Sequence, residues 1–454
     1  MLFFSKNFFI FLFFSQIYAI FAAHLRIQTM EFLSSYPLWL VYSVAGVVIF
    51  WFIQLLLWLI VWAAPARRGK REKRGKVAFA RSAPSVSVVI YAHNQADALL
   101  RNLPEFFAQQ YPDFEVIVVD DASSDETPDV LKMMEQRNDH FIHTHLDDEM
   151  RTLSRRKLAF MLGVKAAHGE IVIATQAQCT PSSEEWIASV VRNFNEGIDF
   201  VLAPVAYENR AGFLSRFYSY DLFQRMITLF GLTLAVRPYA GWGTNLAFRK
   251  EVFFANHNQG FANHLNIHPG EDDLFVADVS TRSNVTVECS SQALIIDQQS
   301  PLSYGWSRER KNRAFTSHWY HRWPMSVRLL DILSRYLFVL GAWALLVFTL
   351  LRVDWTSPSL SYVQFILPAV LLLLLLLRAT WVISVNLLNA RIFRLRRFWL
   401  SPLFWELITP VVDFVFKMRA HDSRKTFYVG YIKLPSSSRF RFKRSDFDRP
   451  RSSF

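Results

Sequence analysis

The stretch EVIVVDDASSDET, residues 115–127, decides the fold. Val116, Ile117, Val118 and Val119 form an apolar run that delivers two adjacent carboxylates, Asp120 and Asp121, to a turn of small polar residues. Such a run, bounded by a Ser/Asp-rich turn, reads as a buried parallel strand with functional groups at its carboxyl end. In open α/β sheets ligands sit at that edge. Working outward, residues 85–91 (SVSVVIY) read as an earlier buried strand ending at Ala92, His93 and Asn94. Residues 98–110 carry Leu99, Leu103, Phe106 and Phe107 at helical spacing, and Pro128 sits in the first turn of a helix expected over 127–136. Strand, helix, strand in this order predicts parallel pairing, so the expected class is α/β with a mostly parallel sheet.

The ends of the chain read differently. The 454 residues are 52% hydrophobic, apolar for a soluble protein, and the excess lies at the two ends. Residues 38–62 contain no charge and one strongly polar group, Gln54. At about 1.5 Å per residue that length crosses a hydrocarbon core of about 30 Å. Residues 336–351 and 363–388 read as two further spans, joined by a short, nearly neutral loop. The basic runs RRGKREKRGK (67–76) and RIFRLRRFW (391–399) adjoin the spans, which places both on the cytoplasmic side. The net charge of +12 is explained by those runs, which argues against nucleic acid as a partner. Two cysteines, Cys179 and Cys289, imply no disulfide framework and fit a reduced compartment.

The organisation expected is therefore a signal-like or membrane segment over 1–30 (an upstream extension if synthesis starts at Met30) and a transmembrane helix over 36–63. A basic cytoplasmic linker over 64–84 and an α/β domain over 85–325 follow. Two transmembrane helices over 336–390 lead to a basic segment over 391–434. Within it, 402–416 is short and carries Glu406 and Asp413, which suits an interfacial helix. The basic tail 435–454 reads as disordered or associated with lipid headgroups.

In the middle domain several motifs follow one another. QQYPDFE (109–115) leads into VVDDASSDET, then come RKLA (156–159), GVKAAHGE (163–170), GTNLAFRKEVFF (243–254) and GEDDLFV (270–276). In this order and spacing the chain resembles family 2 glycosyltransferases over roughly residues 85–320. The resemblance implies the GT-A fold, a nucleotide-sugar-binding α/β domain, here flanked by transmembrane helices. It also implies transfer of a sugar from a nucleotide donor to a lipid-linked or polymeric glycan acceptor, with inversion, at the inner membrane and with membrane lipids as neighbours.

The resemblance assigns roles residue by residue. Asp120 and Asp121 would hold the nucleotide base and ribose, with the turn after Ala92 closing over the base, and Lys157 would lie near the diphosphate. Members of the family present Asp-x-Asp, which holds Mg2+ or Mn2+ against the phosphates. Here the matching stretch is TQAQCTP (175–181), so Gln176 and Gln178 replace both carboxylates. A neutral amide oxygen, such as that of Gln178, is a poor ligand for a dication. Weak metal binding, catalysis without metal, and lost catalysis all stay open. Asp272 is the expected base for the acceptor hydroxyl, with Asp273 second and Glu271 beside them. Trp242, between two glycines, would meet the acceptor sugar. No Gln-x-x-Arg-Trp string of processive relatives occurs; Trp306, Arg308, Arg310, Lys311 and Arg313 occupy its place, where the resemblance implies a gate over the diphosphate. His257, His264 and His268 have spacings of no standard metal site. The competing expectation is a non-catalytic scaffold that serves a partner synthase subunit.

Overall fold

The computed structural model describes residues 37–147, 154–255, 261, 263–300, 302–353, 363–395 and 398–428. The segments expected at 1–30 and 435–454, and His257, lie outside the described residues. Helix α1 (Leu38–Leu57) runs into a π-helical turn (Trp58–Trp62) and is followed by α2 (Ala64–Lys73). The middle domain then alternates β1 (Val86–Ala92), α3 (Ala96–Phe107), β2 (Phe114–Asp120), α4 (Thr127–Glu135), β3 (Phe141–His145), α5 (Arg155–Ala166) and β4 (Ile171–Gln176). It continues through β5 (Cys179–Pro181), α6 (Trp186–Val191), β6 (Phe200–Leu202), β7 (Val205–Tyr207) and the long α7 (Phe213–Ala235). After β8 (Leu246–Arg249) and α8 (Lys250–Phe254) come α9 (Asp273–Val279), β9 (Val285–Val287), β10 (Ile295–Asp297) and α10 (Leu302–Thr316). The chain closes with α11 (Arg322–Leu351), α12 (Val363–Ile392) and α13 (Ser401–Asp422).

Seven strands form one sheet in the order β3-β2-β1-β4-β8-β6-β9, with β8 antiparallel to both neighbours and the other pairs parallel. The register sets the carboxyl ends level: Ala92 lies opposite Asp120 and Tyr91 opposite Gln176. A small sheet, β5-β10-β7, stands beside that edge. The expected α/β class with a mainly parallel sheet is what the structure has.

The strand residues point alternately to two cores. On one face Val88, Ile90 and Val118 pack with Leu99, Leu103, Phe106 and Trp186. On the other, Val89, Ile117 and Val119 join Leu158 and Val164 of α5. This second core runs without a break through Tyr220 and Phe230 of α7 to Val382 and Phe393 at the end of α12. Each such fully buried side chain stabilises by about 1.5–3 kcal/mol, so domain and helices are held as one packed body.

Among the described residues, three helices are long and apolar enough to cross a membrane: Leu38–Trp62, Arg322–Leu351 and Phe365–Ile392. Gln54, the polar residue of the first, donates to Asp331 Oδ1 (3.2 Å) and Ser334 Oγ (2.7 Å) on α11. Arg378 on α12 donates to Glu406 Oε1 on α13 at 2.6 Å. Three boundaries differ from expectation. The basic linker is helical over α2, whose Glu72 pairs with Arg192 of the domain. Helix α11 begins at Arg322, well before the apolar stretch. Helix α13 extends to Asp422, because its buried side, Trp405, Phe416 and Ala420, continues past the apolar run.

Candidate active site

At the carboxyl edge the turns after β1 and β2 are laced together. Asn94, with φ of +51°, donates its N–H to Ser123 Oγ (2.8 Å), and its side-chain oxygen accepts from Ser124 N (2.8 Å). Ala122 also adopts the left-handed region (φ +49°), a conformation that costs a non-glycine residue about 1–2 kcal/mol and that this lacing stabilises. Asp120 is buried and accepts from the hydroxyl and N–H of Ser123. Asp121 accepts from Tyr91 OH at 2.6 Å and from Arg155 Nε at 2.7 Å. Burial, then this bond to Asp121, raises the Tyr91 phenol above its ordinary range. Both carboxylates therefore brace the turn, and neither lines the cavities described next. Ala92 is fully buried, its carbonyl accepting from Asp121 N.

A cavity of about 60 Å³ opens beyond this edge, with Arg156, Gln176, Trp242, Asp272, Arg308 and Arg313 among its walls. A smaller one of about 20 Å³ lies over β1 and β4 and shares Arg156, Gln176 and Glu271 with it. Arg156 thus stands where the two meet, ion-paired with Glu271 and with its guanidinium 5.2 Å from the centre of the Tyr91 ring. An open groove of about 1090 Å³ continues from the cavity through Gln299, Gly305 and Arg308 to Gln178, Asn94 and Ser124. Gln178 Nε2 donates to Gln176 Oε1 at 2.7 Å, so the amide oxygen nearest the cavity is already engaged.

The acidic trio forms the opposite wall. Gly270, at φ +101°, turns the chain into it, a conformation that suits glycine. Asp272 Oδ2 accepts from Gly243 N (2.5 Å) and from Arg313 Nη2 (2.9 Å). A Cβ on Gly243 would meet Asp272 Cβ at 2.8 Å, so only glycine allows this approach. Burial alone would raise the Asp272 carboxyl; the Arg313 guanidinium and the Gly243 N–H outweigh it and hold the group below the usual carboxylate range. Asp273 behaves oppositely: burial and the neighbouring Asp272 push it up. Its Oδ2 accepts from Thr316 Oγ1 and Tyr320 OH, each at 2.5 Å.

The remaining expected residues divide. Trp242 and Arg313 line the cavity, the Arg313 guanidinium 4.6 Å from the Trp242 ring centre. Trp306 and Arg310 do not. Trp306 is buried against Tyr218, its Nε1 donating to Asp221 Oδ2 at 2.8 Å. Arg310 pairs with Asp413 at 2.5 Å and Asp221 at 3.3 Å. The reason is helical phase: the face of α10 toward the cavity is Gly305, Arg308, Glu309, Asn312, Arg313 and Thr316, which leaves Trp306 and Arg310 on another side of the helix. Lys157 is fully buried, Nζ donating to His264 O at 2.6 Å, and lines neither cavity; burial lowers it to about 8. His264 Nε2 contacts Asp278 Oδ2 at 3.0 Å, and among the described residues no group of three or more His, Cys, Asp or Glu could hold a metal ion. Sequence reasoning named Arg156 only within a motif and missed Glu309, which accepts from Arg225 (2.9 Å), Arg313 (3.3 Å) and Tyr207 (3.2 Å). The Arg225 partner is too distant in sequence to be found by spacing.

Residues 87–254 match the model of the family described as glycosyl transferase family 2. The chain carries a family 2 glycosyltransferase domain. Among curated relatives, the glycosyltransferase AglE of Haloferax volcanii is 26% identical over 127 residues, covering 27% of this chain and 40% of that protein. The dolichyl N-acetyl-alpha-D-glucosaminyl phosphate 3-beta-D-2,3-diacetamido-2,3-dideoxy-beta-D-glucuronosyltransferase of Methanococcus voltae is 28% identical over 103 residues, covering 22% of this chain and 30% of that protein. The chain thus spans less than half the length of either relative. Among solved structures, the mannosyltransferase PcManGT of Pyrobaculum calidifontis in complex with GDP-Man and Mn2+ aligns at 17% identity and TM-score 0.43, covering 82% of this chain and 98% of that one. S. aureus TarS 1-349 with UDP-GlcNAc aligns at 14% identity and TM-score 0.36, covering 75% and 92%.

Proposed function

We propose that this glycosyltransferase domain moves a sugar from a nucleotide-sugar donor to the hydroxyl of a membrane-associated glycan acceptor, with inversion by single displacement. Asp272 takes the proton from the acceptor hydroxyl, the freed oxygen attacks the anomeric carbon, and the bond to the diphosphate breaks. The observation that carries this reading is the placement of Asp272. Arg313 and Gly243 fix its Oδ2, leaving Oδ1 to receive the proton, and Arg156 stands at the same cavity. Asp272 rather than Asp273 fits the task, because the oxygens of Asp273 are engaged by Thr316, Tyr320 and the N–H of Leu274. The nucleotide occupies the open groove, since neither enclosed cavity has the few hundred Å³ that such a ligand needs.

The residues present do not fit a dedicated Mg2+ or Mn2+ site. Gln176 and Gln178 are neutral and bonded to each other, Asp121 is engaged by Tyr91 and Arg155, and Glu271 by Arg156. Arg156 and Arg308 supply the positive charge that meets the leaving diphosphate instead. The basic runs beside the spans support a cytoplasmic orientation of the domain at an inner membrane, and the Methanococcus voltae relative's name supports a lipid-linked acceptor.

The mutual bond of the two glutamines also favours a second reading, a binding or scaffold subunit of a glycan synthase that has given up turnover. One experiment separates the two. The purified chain is given a panel of nucleoside-diphosphate sugars, with and without chelator, and release of nucleoside diphosphate is followed. Release that survives chelation and is lost in Asp272→Asn supports transfer; binding without release by the native chain supports the scaffold.

A further inference from the structure

A second cavity, of about 70 Å³, lies on the far side of Trp242 from the catalytic one, and Trp242 and Arg313 line both. Its other walls come from α7, the start of α11, and α13. Arg225, Arg310, Arg313, Arg328 and Lys417 line it against one lining carboxylate, Asp413. Asp413 is shared between Arg310 and Arg328. The acids behind the wall, Asp221, Glu309, Asp272 and Asp273, each pair with one or two of the arginines, and Lys417 has no ion-pair partner among the described residues. The acids lie mostly behind the arginines, Lys417 is left unpaired at the cavity, and unused donors remain in the wall. Arg310 is 4% exposed and Arg225 10% in its side chain, yet Nε of Arg310 and Nη2 of Arg225 are buried without hydrogen-bond partners. Leaving such donors unmade is costly unless a ligand supplies the acceptors. The volume is several times what one water needs.

The surroundings say where an anion would come from. Helix α13 turns Phe404, Val411, Val415 and Met418 outward, a stripe at helical spacing that is 39–58% exposed. Lys417 stands beside that stripe. Such a face suits the interfacial helix expected from the sequence, and on that reading Lys417 and Arg328 stand at headgroup depth. From there to the catalytic base the path is short: Arg313 lines this cavity and donates to Asp272 at 2.9 Å.

We propose that this cavity binds a phosphate group carried on the lipid end of the acceptor, holding it through Lys417, Arg328 and the free guanidinium donors while its sugar reaches Asp272 past Trp242. This deepens, and rests on, the transferase reading above. Guanidinium forks suit phosphate oxygens, and an apolar chain on that phosphate continues along the outer stripe of α13.

The test is direct binding to the full chain in neutral detergent, read by tryptophan fluorescence, with dodecyl phosphate as the probe. Dodecyl phosphate should bind saturably, dodecanol should not, and inorganic phosphate should bind at least about 100-fold more weakly. Lys417→Glu should weaken dodecyl phosphate at least about tenfold, whereas Arg419→Glu, on the same helix but outside the cavity, should leave it unchanged and shows that the helix tolerates the charge. Unchanged affinity in Lys417→Glu overturns the proposal. So does inorganic phosphate binding as tightly as dodecyl phosphate, which would make this a free-anion site. Equal competition by phosphatidylglycerol would mean an unspecific anionic-lipid surface and overturns it too. Failure of the transferase reading shows separately, as absence of nucleotide-sugar binding by the native chain.

Discussion

On one bank of the catalytic cavity Gln176 and Gln178 bond to each other; on the other, three carboxylates each hold their own donor, Arg156 on Glu271, Arg313 and Gly243 on Asp272, Thr316 and Tyr320 on Asp273. The first bank is neutral and self-satisfied, the second charged and engaged with cations. The difference teaches where charge matters at this site. A chain that had abandoned catalysis would have little reason to keep Asp272 ionised at a cavity wall, because burying a carboxylate is unfavourable unless cations and N–H groups repay it. The donor bank can do without anions if no dication has to be held there.

The largest expected effect comes from the charged bank. Asp272→Asn should lower kcat by about 10³-fold while donor affinity changes less than threefold, within the range that a general base contributes. Steady-state rates combined with nucleotide-sugar binding would check this, and a loss of binding equal to the loss of rate would break the contrast between banks. Next, Arg156→Gln should cost about 10²-fold in kcat/KM, the scale of losing one preorganised donor to developing negative charge. Restoring both carboxylates, Gln176→Asp with Gln178→Asp, should make activity sensitive to chelator by about tenfold, where the native protein is not. Equal sensitivity in both would mean that the neutral bank holds a metal after all.

Acidity sharpens the comparison with smaller effects. Asp272 is held below its ordinary value of about 3.9, so its ion pair stabilises fully above that pH and is lost as pH falls through the lower folded value. The rate should accordingly stay flat from pH 7 down to about 5, measured on the native chain. The smallest effect is on stability. Lys157 is lowered from about 10.5 to about 8 by burial, so the folded chain sheds this proton before the unfolded one does. Its contribution to Tm should rise between pH 8 and 10, and Lys157→Met should remove that rise.

Much of the fold was legible. The β-branched runs at 86–92 and 114–120 end on turn residues, and burial on both faces leaves no other reading. The acidic trio and Trp242 were legible through the family resemblance of GEDDLFV (270–276) and of the Gly241-Trp242-Gly243 loop. Of the basic and aromatic segment Trp306, Arg308, Arg310, Lys311 and Arg313, Arg308 and Arg313 reach the catalytic cavity and the others do not, since the composition of a segment does not say which face of its helix meets which neighbour. Asp120 and Asp121 mark the right edge of the sheet, yet their partners, Ser123, Tyr91 and Arg155, use them to hold the turn. That Arg156 faces Glu271, far apart in sequence, depends on how α5 seats on the sheet, which no local pattern encodes.

The most direct test of the account is a calorimetric titration of nucleoside-diphosphate sugars into the purified full chain in the presence of chelator. The account predicts that one of them binds without divalent ions and that Arg156→Gln weakens it at least about tenfold. Binding that needs added Mn2+ or Mg2+ and is indifferent to Arg156 would contradict it.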